Sequence, residues 1–183
     1  MRRLSAVFVL LLAACAARTE PLHGSVISPS PEAHAFTLID QDGKPFSLAQ
    51  TRGQAVLLYF GFTHCADTCP QTLALLGKAR AKDGFDPARV RIAMVTVDPK
   101  RDSPASFRAF FKKVGIQATG LTGSMHVLAP VYRAYGVAIQ PQKHDIVHTD
   151  VIYLIDPNGK LRELVDPKMP LKDIAEDLRT VVN

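Results

Sequence analysis

Two cysteines, Cys65 and Cys69, stand four residues apart in Gly61-Phe62-Thr63-His64-Cys65-Ala66-Asp67-Thr68-Cys69-Pro70. The stretch follows the apolar run Ala55–Phe60, and Pro70 suits the first turn of a helix. The pair therefore lies where a buried strand hands the chain to a helix, the expected place for chemistry in an open α/β sheet. Residues i and i+4 on a helix face have Cβ atoms about 5–6 Å apart, whereas a disulfide wants roughly 3.5–4.5 Å. Two thiolates about 2.3 Å from a shared metal accept the wider spacing more easily. The spacing leans towards a metal and leaves a reversible disulfide open. A helix N-terminus lowers thiol pKa through its dipole, which favours thiolate in either role.

The elements that must position this pair read as an α/β chain. Ala35–Asp40 alternates apolar and polar residues and meets an Asp42-Gly43 turn, so it predicts a hairpin running on through Phe46 and Leu48. Ala55–Phe60 is continuously apolar, the mark of a strand covered on both faces. A helix follows Cys69 with Leu73, Leu76, Ala79 and Arg80 in helical spacing. Val90–Val97 reads as another buried strand ending at Asp98-Pro99. Ser103-Pro104 opens a helix that Gly115 stops, and a further helix spans Val127–Tyr135. Val151–Ile155 and Lys160–Val165 flank Asp156-Pro157-Asn158-Gly159 as a second hairpin. Leu171, Ile174, Ala175, Leu178 and Val182 form the stripe of a closing amphipathic helix. The order is an α/β sandwich with a mixed sheet, an N-terminal β-hairpin and flanking helices. A buried strand running into a cysteine-bearing helix start resembles the thioredoxin fold, which alone selects no function.

Composition narrows the classes. The 183 residues favour one domain, and 47% apolar with 21% charged residues is ordinary for a globular protein. Net charge is +5, of which Arg2 and Arg3 supply two, and no basic block with interleaved aromatics appears. Nucleic-acid binding thus has little support. Met1-Arg2-Arg3 followed by twelve apolar or small residues, Ala6–Ala17, has the charge order and length of a secretory leader. Leu12-Ala13-Ala14-Cys15 resembles the lipobox of bacterial lipoproteins, which implies cleavage before Cys15 and its lipidation. The reading is a leader over 1–14, a lipidated cysteine and flexible tether over 15–31, and a domain over 32–183. Lipid would hold the protein on the periplasmic side of a bacterial membrane, where disulfides persist. Of three cysteines, Cys65 and Cys69 then remain.

Four separated stretches carry a more specific likeness: Tyr59-Phe60-Gly61-Phe62-Thr63-His64-Cys65, Cys69-Pro70, Thr96-Val97-Asp98-Pro99-Lys100-Arg101-Asp102-Ser103-Pro104, and His148-Thr149-Asp150 with Tyr153-Leu154-Ile155-Asp156. Together they resemble the Sco/SenC family, copper-binding proteins that assist assembly of cytochrome c oxidase. The resemblance implies a thioredoxin-like fold and copper ligands at Cys65, Cys69 and His148. It also implies delivery of copper to the binuclear copper site of oxidase subunit II, or to another copper acceptor. Two thiolates and an imidazole suit that cargo, since soft thiolates select Cu(I) and Cu(II) outranks Zn(II) for such donors. Zinc held by two cysteines, one histidine and water is the rival.

Asp98, at a strand end, is expected either to hold its loop or to stand behind the metal ligands, and Lys100-Arg101-Asp102 reads equally as a solvated turn. His64 is not assigned as a ligand, and His23, His34, His126 and His144 read as surface or satisfied residues. The alternative function is a membrane-tethered thiol-disulfide oxidoreductase using Cys65 and Cys69. Against it, the spacing is not Cys-x-x-Cys, and His148-Thr149-Asp150 stands where thioredoxins place a cis-proline. A peroxiredoxin-like reading fails because Thr63 is one residue too close to Cys65.

Overall fold

Seven consecutive buried residues, Ala55–Gly61, form strand β4, and the rest of the sheet is arranged around it. The computed structural model describes residues 21–182 except Asp83, Asp86 and His144. The expected leader and the lipidation site Cys15 lie outside the described residues. In chain order the elements are β1 (Ser25–Val26), β2 (Thr37–Asp40), β3 (Pro45–Ser47), β4, α1 (Thr68–Lys82), β5 (Val90–Thr96), α2 (Pro104–Val114), β6 (Thr119–Thr122), α3 (Met125–Ala134), β7 (Ile139–Pro141), β8 (Ile146–His148), β9 (Ile152–Ile155), β10 (Leu161–Val165) and α4 (Leu171–Val182). The main sheet has the order β1-β10-β9-β4-β5-β6-β2-β3, and β7-β8 is a separate small hairpin. Each fully buried Val, Leu or Phe contributes about 1.5–3 kcal/mol relative to exposure. Uncovering two or three in β4 would cost about 3–9 kcal/mol, a large share of the net stability of a typical domain, about 5–15 kcal/mol.

Strand β4 runs parallel to β5, with Gly61 opposite Thr96, and antiparallel to β9, with Tyr59 opposite Ile152. The ends of β4 and β5 and the beginning of β9 therefore meet at one edge of the sheet. Side chains alternate across a strand, so Tyr59 and Phe60 point to opposite faces. Tyr59 reaches Cys69 on α1, while Phe60 packs edge-on against Tyr132 of α3. Both α2 and α4 lie alongside α1.

Most predicted elements are present with small shifts. Leu48 does not extend β3 but opens a 3-10 turn, Leu48–Thr51. Strand β6 and the β7-β8 hairpin carried no legible pattern. Thr-Gly-Leu-Thr is too short to show alternation, and only pairing with β5 and β2 makes it a strand.

The flexible tether expected to reach residue 31 ends earlier. Ser25 and Val26 pair with Leu164 and Glu163, Ile27 N–H donates to Arg162 O at 2.9 Å, and Glu32 bridges to Lys160. Backbone pairing of this kind leaves no side-chain periodicity to read. The attachment continues upstream. His23 donates its backbone N–H to Asp177 Oδ1 (3.0 Å), and its ring Nδ1 lies 2.7 Å from the same oxygen. Gly24 N–H donates to Glu163 Oε2 at 2.9 Å. A Cβ on Gly24 would meet Leu164 O at 2.6 Å, so glycine is required for this approach.

Glu163 and Asp177 are buried carboxyl groups. Among the described residues, Glu163 Oε1 and Asp177 Oδ2 have no hydrogen-bond partner. Burial, then the charge of Asp177, pushes Glu163 from 4.5 up to about 7. The hydrogen bond to Asp177 raises His23 above 6.5. A raised group contributes stability that is complete below its unfolded value and is lost as pH rises through its folded value. Both groups therefore weaken the N-terminal attachment on the alkaline side. Glu163→Gln keeps the shape and supplies a permanent donor. It is expected to flatten the fall in Tm between about pH 5 and pH 8, followed by thermal unfolding; an unchanged pH profile would refute the raised Glu163 carboxyl.

Candidate metal centre

Three passes of the chain converge at the sheet edge where β4 ends. The first is the loop Phe62–Asp67, which carries Cys65 into α1. Cys65 precedes the helix and Cys69 is its second residue, so the i, i+4 helix-face spacing does not apply to them. Cys65 turns back on the helix, and Cys69 N–H donates to Cys65 Sγ at 3.3 Å. Both cysteines are free, Cys65 half-buried and Cys69 fully buried. The sulfur of Cys65 thus sits against the first turn of α1, and the helix-face distance does not set its separation from Cys69. Gly61 lies under them. A Cβ there would sit 2.7 Å from Tyr59 Cε1 and 3.1 Å from Cys69 Sγ, so only glycine lets the buried thiol approach the strand.

The two sulfurs differ in charge. The hydrogen bond from Cys69 lowers Cys65 to about 6 against its partial burial, helped by the N–H groups of Cys69, Asp67 and Thr68 at the helix start. The same hydrogen bond and burial push Cys69 far up. The pair is thus one thiolate and one thiol at neutral pH. Burial, reinforced by Cys69 and Asp150, also holds the Tyr59 phenol protonated. Its hydroxyl is a donor shared between Asp150 Oδ1 (3.0 Å) and Cys69 Sγ (3.6 Å).

The second pass is the loop after β5. Asp102 is 3% exposed, so it departs from the solvated turn that Lys100 and Arg101 do form. It accepts Thr63 N–H (3.1 Å) and Thr63 Oγ1–H (2.6 Å) from the cysteine loop and Thr96 Oγ1–H (2.7 Å) from β5. Asp102 therefore ties the two loops together. Asp98 holds its own turn: its carbonyl accepts the N–H groups of Arg101 and Asp102, and its carboxylate pairs with Arg101 Nε. None of its hydrogen bonds goes to a cysteine or to His148. The sequence reading singled out Asp98 and passed over Asp102, Tyr59 and Asp150. A polar residue beside a buried Thr on the neighbouring loop was the available signal for Asp102.

The third pass brings His148, at the end of β8 and just before β9. Its ring packs edge-on against Tyr59 and Phe62, with centroids 6.3 and 6.1 Å away. Nδ1 lies 2.9 Å from Thr149 O. A carbonyl only accepts, so Nδ1 carries the proton and Nε2 keeps a free lone pair, the form that binds a metal. The donors of Cys65, Cys69 and His148 are not all within 4.8 Å of one another. Among the described residues, His23, Asp173 and Glu176 do satisfy that distance, but they are engaged by Asp177, Lys172 and Arg179. His64 is exposed, with Nδ1 3.2 Å from Thr63 Oγ1 and 3.5 Å from Asp102 Oδ1. Two soft sulfurs of which one is ionised, plus an imidazole with a free lone pair, form a donor set that fits a thiophilic metal.

Iodoacetamide should alkylate Cys65 before Cys69, with a rate that rises through about pH 6 rather than the usual 8–9; site-resolved mass spectrometry would show it. Labelling that begins at Cys69, or a midpoint above 8, would contradict the charge assignment. Asp102→Ala strands three donors at roughly 1–3 kcal/mol each, less whatever water repairs. A loss of about 2–4 kcal/mol in urea unfolding is expected.

The SCO1/SenC family matches residues 25–183. The protein named Protein SCO2 homolog, mitochondrial, of Mus musculus is 34% identical over 170 residues, covering 88% of this chain and 65% of that protein. The chain thus spans just under two thirds of the length of that relative. Among solved structures, Bradyrhizobium japonicum ScoI with copper bound has a TM-score of 0.75 at 30% identity, covering 82% of this chain and 99% of that one. BsSco, a member of the Sco family of cytochrome c oxidase assembly proteins in which a disulfide switch was identified, has a TM-score of 0.72 at 25% identity and covers 86% and 98%. The match over the whole domain, on a thioredoxin-like sheet whose edge gathers two cysteines and a histidine, leads to one conclusion: the chain belongs to the SCO1/SenC family.

Proposed function

We propose that the protein is a copper chaperone whose cargo is bound by Cys65, Cys69 and His148. The observation that carries this reading is the convergence of a half-buried thiolate, a buried thiol and an imidazole with Nε2 free at one sheet edge. Cu(I) and Cu(II) both suit the set. Cys65 supplies the first sulfur because it is ionised and reachable. Cys69 then loses its proton, and its donor hydrogen bond to Cys65 goes with it. His148 enters on the short β7-β8 hairpin, whose movement brings its ring onto the sulfurs. Release to an acceptor runs the same way, with donor ligands exchanged one at a time for acceptor ligands. The acceptor is the binuclear copper site of cytochrome c oxidase subunit II, and a lipid on Cys15 would keep the protein on the periplasmic face of a bacterial membrane.

The second reading, a thiol-disulfide oxidoreductase acting on the acceptor's cysteines, is favoured by one specific observation. Cys65 is half-buried and accepts the N–H of the fully buried Cys69, so one sulfur is reachable with the other behind it, which is the arrangement of an attacking and a resolving thiol. The two activities use the same site and can alternate.

The deciding measurement is metal analysis of the reduced protein loaded anaerobically with Cu(I) in competition with Zn(II). One copper per chain is expected, lost in Cys65→Ala and Cys69→Ala. It should be retained in His148→Ala with affinity lowered by at least about 10-fold, since removing a ligand costs no less than removing a group that orients one. Zinc held in preference, or copper unaffected by the cysteine variants, would overturn the chaperone reading.

A further inference from the structure

A groove of about 560 Å3 begins at Cys65 and runs between α1 and α2. Its direction follows from the topology. β4, β5 and β6 are parallel neighbours, so α1 and α2 both start at the site edge and run away from it side by side. Cys65 therefore marks the near end. Lys113, near the end of α2, marks the far end, about 10 Å beyond Ser106 at 1.5 Å per residue.

The walls are shaped for a backbone. Ala66, Pro70 and Ala74 face the groove from the α1 side, at intervals of four, and Ala109 faces it from α2 above Phe110. Small side chains on both walls let another chain lie close, and ~10–12 Å holds three or four residues of extended chain at about 3.3 Å each. No Asp or Glu lines the groove, whereas Lys113 does. Lys78, exposed one turn beyond Ala74 on the same row of α1, adds a second positive charge at that end.

Access supplies the remaining constraint. Cys69 is 0% exposed, so a partner's sulfur reaches this protein at Cys65, and Cys65 opens into this groove. We propose that the groove seats the partner with which Cys65 exchanges. Its occupant is an extended segment carrying a cysteine at the near end and acidic side chains three or four residues away, over Lys78 and Lys113. The inference rests on the reading of Cys65 as an exchanging thiol and adds the kind of chain that it exchanges with.

The test uses blocked peptides with one cysteine separated by two alanines from two aspartates, placed on either side, and matching peptides with lysines. Each is supplied as its mixed disulfide with thionitrobenzoate. Cys65 thiolate attacks the peptide sulfur, the peptide–thionitrobenzoate bond breaks, and the coloured thionitrobenzoate anion leaves with the electron pair. A Cys65–peptide disulfide remains, from which Cys69 displaces the peptide thiol to close the Cys65–Cys69 disulfide. The mixed disulfide of N-acetylcysteine amide, too short to reach the lysines, is the control.

At low ionic strength one of the two acidic peptides should react about tenfold faster than its lysine counterpart, an advantage lost at high salt. Lys78→Glu/Lys113→Glu should reverse the preference while the control rate stays within about twofold. A normal control rate with no dependence on peptide charge, or no effect of the double variant, overturns the groove assignment alone. A control that fails to react at Cys65 overturns the exchanging-thiol reading and the groove assignment with it. Copper retention in the preceding measurement reports on the chaperone reading separately.

Discussion

A strand that is hydrogen-bonded on both edges and covered on both faces leaves only its ends free for chemistry. Strand β4 is in that position: β5 and β9 hold its edges, and α1 and α3 cover its faces. Every contribution to the site follows from it. The chain must leave β4 at Gly61, and the parallel neighbour β5 must end beside it. The antiparallel neighbour β9 must begin there. Three loops with no sequence proximity are thereby delivered to a single end of the sheet.

Within that frame, environment separates two chemically identical residues. The dipole of a helix start is worth about 0.3–1 kcal/mol to a nearby anion, whereas a hydrogen bond to a charged group is worth about 1.5–3 kcal/mol. The thiol of Cys69, more than the helix, therefore makes Cys65 the anion. That arrangement holds only while Cys69 stays protonated, which its contact with Cys65 and its burial favour against the donor hydroxyl of Tyr59. The loop that presents Cys65 is in turn fixed by Asp102, whose carboxylate receives donors from both sides of the β4–β5 junction. Such an anchor costs the burial of a charge and is stable because each stranded oxygen finds a donor.

The sequence reading succeeds where burial writes a long pattern. The continuous run Ala55–Phe60, the Ser103-Pro104 start and Gly115 stop of α2, and the stripe of α4 were all legible. Gly115 takes the left-handed conformation that such a stop requires. Cys65 and Cys69 stood out by type and spacing, and His148 by its family likeness. What escaped were features made by pairing rather than by pattern. Strands β1 and β6 have too few residues to alternate, and the partnership of Asp102 with Thr63 spans 39 positions. Asp98 and Asp102 look alike in sequence, and only the turn geometry determines which of them faces the cysteine loop. The helix-face distance assumed for the cysteine pair does not apply, because Cys65 belongs to the loop before the helix.

Strand β1, two residues long, also has a protective office. It lies along β10 at the margin of the sheet, where unpaired backbone groups would otherwise offer a template for another polypeptide. Its hold depends on His23 and Gly24 gripping two buried carboxyl groups, Asp177 and Glu163. Loss of the Glu163 proton as pH rises loosens the cover and bares a β-edge flanked by Leu161 and Val165. The segment leading into the domain is therefore a guard against edge-to-edge aggregation, strongest in mildly acidic surroundings.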